Sequence, residues 1–141
     1  MRERLDAQIN TRMTARDKEE LGETASSRQM DPLALARTLL REGIRRERHP
    51  GITFRIGPTG RRAALEGHRL DVWQVMETVW ASDGAVNQVA AYLEIHPADV
   101  QAAVAYYADY PEEVDAMVEQ NRQAADRLQA QWHREQAALR R

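Results

Sequence analysis

A chain of 141 residues suits one domain of ordinary size or two very small ones. It has no cysteine, which excludes a disulfide framework, a thiolate metal site and a cysteine nucleophile, and fits a reducing interior. The formal net charge of −2 is unevenly spread: residues 1–66 carry 14 basic and 10 acidic side chains, residues 67–141 carry 6 and 12. A basic first half suits phosphate contact, and an acidic second half would be repelled by DNA.

No apolar run approaches the length of a membrane span, and Met1-Arg2-Glu3-Arg4 leads into no signal-peptide core. The expected location is therefore cytoplasmic, with no membrane contact.

In chain order, the first readable segment is residues 8–13, QINTRM. Gln8, Asn10 and Arg12 alternate with Ile9, Thr11 and Met13, the pattern of a strand with one buried and one exposed face. Gln and Asn make bidentate contacts to adenine and Arg to guanine in a major groove, so the polar side is a candidate base reader. One strand of six residues is not stable alone, and the simplest source of a second is a twofold-related chain.

Thr14 then opens a helix as its N-cap, with Asp17 in the first turn, running to about residue 26 with Leu21, Thr24 and Ala25 on its inner face. Asp31-Pro32 restarts a helix to about residue 48, with Leu35, Ala36, Leu39, Leu40 and Ile44 as the apolar face. The amides of Met30 and Asp31, at this helix start, are the candidate phosphate contacts.

Strand, helix, turn and helix over residues 8–48 resemble the ribbon-helix-helix family of DNA-binding proteins, the Arc/MetJ type. The resemblance implies two chains pairing their strands into an antiparallel ribbon that enters the major groove. Gly22 and Thr11 depart from the family pattern: Gly weakens the first helix, and Thr stands where the family usually has an aliphatic residue.

His49-Pro50-Gly51 breaks the second helix. Residues 52–56 alternate as a strand, Gly57-Pro58-Thr59-Gly60 is turn chemistry, and residues 61–65 return to make a hairpin. Residues 71–82 read as a helix with Val72, Val75, Met76 and Val79 on one face. Residues 85–93 read as another, and Pro97 starts a third to about residue 108. The last two, joined around Glu94-Ile95-His96, have a helix-turn-helix pattern. The second of them offers Gln101 but no Arg or Lys for DNA, so a structural corner is the preferred reading over a second DNA reader.

Gly67-x-Arg69-Leu70-x-Val72, followed by a helix ending Ala105-Tyr106-Tyr107, resembles a family of small bacterial proteins first catalogued as a domain of unknown function and later linked to VapB-type antitoxins. That resemblance spans about residues 49–120. Arg61-Arg62-Ala63-Ala64 departs from it, lacking the Gly and Pro usual there.

Residues 111–141 read as a long helix with acidic residues in the first turn and Arg140-Arg141 at its end. Val118, Ala125, Trp132 and Leu139 recur every seven residues, but Asn121 and Glu135 make a poor coiled-coil seam. Leu128, Trp132, Leu139, Arg140 and Arg141 are candidate contacts to a partner protein. Packing on the chain's own fold or its twin is the competing account.

His49, His68, His96 and His133 have no metal-site spacing and no nucleophile elbow occurs, so no residue is nominated for catalysis and no cofactor is expected. The expected architecture is mainly α. Residues 1–48 form a ribbon-helix-helix dimerisation module, 49–110 a β-hairpin plus a small helical domain, and 111–141 an amphipathic helix. The expected function is a DNA-binding repressor acting as the antitoxin of a toxin–antitoxin pair, with operator DNA and a nuclease-like toxin as partners. The alternative is a stand-alone dimeric or oligomeric DNA-binding regulator or scaffold.

Overall fold

The computed structural model describes residues 4–57 and 60–140, which form six helices and one two-stranded hairpin. In chain order these are α1 (Ala15–Ser27), α2 (Pro32–Arg48), β1 (Ile52–Gly57), β2 (Gly60–Leu65), α3 (Val72–Ala81), α4 (Val86–Leu93), α5 (Pro97–Asp109) and α6 (Pro111–Leu139). The mainly helical class with a single hairpin is as expected. No described helix is long and apolar enough to cross a membrane. The chain divides into two compact units, Met1–Arg41 and Glu42–Arg141. The division falls inside α2, not at residue 48 where the sequence pattern changes.

In the first unit the helix signals act as read. Thr14 Oγ1 accepts from the Asp17 amide at 3.1 Å, and Asp17 lies in the first turn, where the helix dipole favours a carboxylate. The chain leaves α1 through Gln29 at φ 54, and the Met30 amide donates back to the Ala25 carbonyl at 2.9 Å, a Schellman-type wrap. The Asp31 carboxylate accepts from the Ala34 amide at 3.1 Å and starts α2. Ala25 and Leu35 are fully buried.

Along α2, hydrophobicity and burial part company. Leu39, Leu40 and Ile44, expected on the core face, are 42%, 53% and 50% exposed. Leu35, Glu42, Arg45 and His49 are buried and Thr38 is half-buried, and these five fall at helical spacing on one face. The expected apolar face is thereby corrected: on this helix the buried stripe is largely polar.

In the second unit β1 and β2 pair antiparallel, with Ile52 opposite Leu65, Phe54 opposite Ala63 and Gly57 opposite Gly60. Pro58 and Thr59, the expected centre of the turn, lie outside the described residues. Gly60 leaves the turn at φ +116, a conformation that only glycine adopts without strain. A lone hairpin is marginal in water. This one is covered by α5 on both strands and by α3 on β2. Ile52, Leu65, Val72, Val75, Val89, Val100 and Tyr106 form the centre of one core, with Tyr106 its largest fully buried side chain. All four apolar residues expected on the inner face of α3 are in it.

Asp71, 2% exposed at the start of α3, ties the hairpin to the helices. Its carboxylate accepts from Arg55 Nε at 3.2 Å and Nη2 at 3.0 Å, and from Trp73 Nε1 at 3.1 Å. Arg62 Nε lies 2.6 Å away as an ion pair but without hydrogen-bond alignment. The Asp71 amide donates to Gln74 Oε1 at 2.9 Å, closing the first turn. Asp71→Ala should therefore lower the unfolding free energy by about 3 kcal/mol, because two part-buried guanidinium groups lose their counter-charge. The measurement is the urea midpoint at unchanged slope. A midpoint equal to the parent's would mean that water satisfies Arg55 and Arg62 instead.

Candidate nucleic-acid interface

Residues 4–13 make no ladder within the chain, and every one of them is exposed. The strand expected at residues 8–13 needs a second chain, and a single chain has none to pair with. Gln8 Nε2 donates to Asn10 Oδ1 at 3.3 Å, so these two side chains lie on one side of the backbone, as residues two apart do in an extended segment. Arg12 is the next position in that series. Of the odd-numbered positions in and around this series, Leu5, Ile9 and Met13 are 75%, 76% and 51% exposed.

The phosphate site needs a correction. The Met30 amide is engaged by the Ala25 carbonyl in the turn that ends α1, so it does not point out of the start of α2. The Asp31 carboxylate caps that helix start through the Ala34 amide. A negative side chain there competes with a phosphate for the same donors and repels it.

At the other end of the chain, Leu128, Trp132 and Leu139 are 67%, 55% and 78% exposed, and Arg140 is exposed too. Arg141 lies outside the described residues. Trp132 is thus not covered by its own fold, which leaves a second copy or a partner protein to cover it.

Sequence reading missed a polar network at the end of α2. Arg45 Nη1 donates to the Tyr106 hydroxyl at 2.9 Å and to the Glu113 carboxylate, and its guanidinium carbon lies 4.0 Å from the centroid of the Tyr110 ring. Glu42 takes both Arg61 Nε and Nη2 in a bidentate pair, the latter at 2.6 Å. His49 Nε2 meets Asp109 Oδ2 at 2.8 Å, with the imidazole edge-on to Tyr106 and Tyr110. The available signal was the spacing Glu42, Arg45, His49, which continues the stripe begun by Leu35.

The α4–α5 corner turns through Glu94 in the left-handed region at φ 56. His96 caps α5 by accepting from the Ala98 amide at 3.0 Å through Nδ1, and the Asp99 carboxylate takes the His96 amide at 3.3 Å. His68 Nε2 lies 3.2 Å from the same carboxylate. The exposed positions of α5 include Ala98, Gln101 and Ala105 and no cation, a face without a phosphate contact. Among the described residues, no three His, Asp or Glu side chains gather as a metal ion would require.

Comparison with protein-family models, with curated proteins and with solved structures finds no match for this chain.

Tyr106 supplies a pH-dependent test of the buried network. Its hydroxyl also donates to Glu113 Oε1 at 3.1 Å. Burial first, and the Glu113 charge second, push its ionisation well above that of an ordinary phenol, against the pull of Arg45. A group whose folded value is raised contributes its stability below the unfolded value and loses it as pH rises toward the folded one. Tyr106 should thus be silent below about pH 10 and destabilising above it. Urea midpoints of the parent should fall from about pH 10 upward more steeply than those of Tyr106→Phe. Equal slopes would show that the hydroxyl reaches water before unfolding.

Proposed function

We propose that the chain is a homodimeric DNA-binding regulator whose residues 8–13 pair with those of a second copy and read base edges through Gln8, Asn10 and Arg12. The observation that carries this reading is the state of the N-terminal segment. It is exposed throughout and unpaired within the described chain, its sequence alternates Gln8, Asn10 and Arg12 with Ile9 and Met13, and it is followed by two capped helices.

A second copy would supply strand partners and cover the apolar side at once. Leu33, Leu39, Leu40 and Ile44 on α2, exposed at 67%, 42%, 53% and 50%, belong to the same account. Covering one such side chain fully contributes about 1.5–3 kcal/mol, so several together outweigh the association entropy of a dimer.

The antitoxin form of this reading adds a nuclease-like toxin on α6. What supports it is the exposure of Leu128, Trp132 and Leu139, which supports self-assembly equally. We adopt the stand-alone form, in which the protein's only macromolecular ligands are DNA and itself.

The test is binding to duplexes selected from a random pool, followed by anisotropy at fixed salt. Arg12→Ala should weaken the selected duplex by about 1–3 kcal/mol per half-site, the worth of one bidentate base contact, and Asn10→Ala should do likewise. Leu40→Glu should give a monomer that no longer binds. Selection of no sequence above non-specific affinity, or full affinity in Arg12→Ala, would overturn the reading.

A further inference from the structure

The strongest unused feature of the molecule is the second half of α6. Val114 is buried and Met117 and Val118 are half-buried, but from Glu119 to Leu139 the helix is exposed apart from half-buried Ala124 and Gln136. This free length projects about 30 Å at 1.5 Å per residue. It carries Leu128, Trp132 and Leu139, each more than half exposed.

Charge is graded along the same helix. Glu112, Glu113, Asp115 and Glu119 hold its first third, and residues 122–141 carry five arginines against two carboxylates. The helix dipole favours acids in the first turn and bases in the last, but its reach ends there. Arg127 and Arg134 lie well inside, exposed, and have no acidic partner among the described residues.

We infer that the free half of α6 is a self-association helix, and that its occupant is the same helix of a second copy, running antiparallel. A parallel pair would set acid against acid, base against base, Asn121 against Asn121 and Glu135 against Glu135. An antiparallel pair crossing between Leu128 and Gln129 matches the two ends of the charge gradient. It also sets large against small along the seven-residue seam: Trp132 meets Ala125, and Leu139 meets Val118. Glu135 then meets Arg122, Asn121 meets Gln136, and Arg140 comes beside the turns that hold Asp115 and Glu119. The two residues that spoil a parallel seam thus face polar side chains of the second copy, Glu135 beyond the Gln131 amide it accepts from at 2.9 Å and Arg122 beyond its own Glu119 and Asp126. The arrangement is isologous, so it closes at two copies.

The chain has no cysteine, so single introduced thiols report the geometry in the intact protein. Gln129→Cys lies next to the crossing point and should convert most of the chain to a covalent dimer under mild oxidation. Gln136→Cys should stay at background, because its copies are some fifteen residues, or about 22 Å, apart along the pair. A mixture of Asn121→Cys and Gln136→Cys chains should cross-link to each other. All three substitutions are on the exposed helix, and DNA binding does not enter the readout, so the outcome is separable from the base-reading proposal. Cross-linking of Gln136→Cys as efficient as that of Gln129→Cys would mean a parallel pair and would overturn the inference. Absence of any cross-link would overturn it too, and would leave this face to a different protein.

Discussion

Arg45 is the side chain on which the end of α2 depends. It leaves that helix and meets the Tyr106 hydroxyl on α5, the Glu113 carboxylate on α6 and the Tyr110 ring between them. A guanidinium can do this because it is a planar fork, able to donate in several directions while stacking its face on an aromatic ring. With Glu42 held by Arg61 one turn before and His49 by Asp109 one turn after, the inward face of α2 is fixed by charge. The remaining apolar residues of the helix, Leu39, Leu40 and Ile44, are then left outward. Leu35 aside, the buried and half-buried positions from Thr38 to His49 are polar, while these three apolar side chains stay in water. The proposed second copy is what would cover these exposed side chains.

Much of this architecture was legible because the signals were local. Thr14, Asp31 and Pro97 start helices by chemistry confined to one turn, and Gly57 and Gly60 pair at the turn end of the hairpin. The four valine and methionine positions of α3 repeat with helical period, and all are in the core. The buried polar stripe was not legible, for a physical reason. A charged side chain is presumed solvated unless its partner is known, and the partners of Glu42, Arg45 and His49 lie 19 to 68 residues away in sequence. Asp71 shows the same limit: its place at a helix start was readable, its clamp on Arg55 and Arg62 was not.

The candidate site was legible in part. The identity and alternation of Gln8, Asn10 and Arg12 needed no structure, and the Gln8–Asn10 hydrogen bond agrees with the alternation. The Met30 amide could not be judged from sequence. Whether it is available depends on how the preceding helix ends, and that is set by Gln29 entering the left-handed region, an uncommon step for a residue other than glycine.

The charge asymmetry of the sequence takes on a different meaning once the pairs are known. Residues 70–121 contain ten carboxylates and no Lys or Arg. Yet Asp71 is neutralised by Arg55 and Arg62, Glu113 by Arg45, and Asp109 meets His49 and, at 3.7 Å, Arg48. These cations come from the supposedly basic half and belong to the same compact unit as the acids. Counted by unit, Met1–Arg41 has eight basic against seven acidic residues, and Glu42–Arg141 has twelve against fifteen. A large part of the imbalance is therefore the fold's own ion pairing, split in two by reading the chain linearly. The first unit is nearly neutral overall, so electrostatic attraction to DNA depends on which of its eight basic side chains meet phosphates, not on its net charge. If that unit binds DNA, the free energy must come from directed contacts by a few residues, doubled by a second copy.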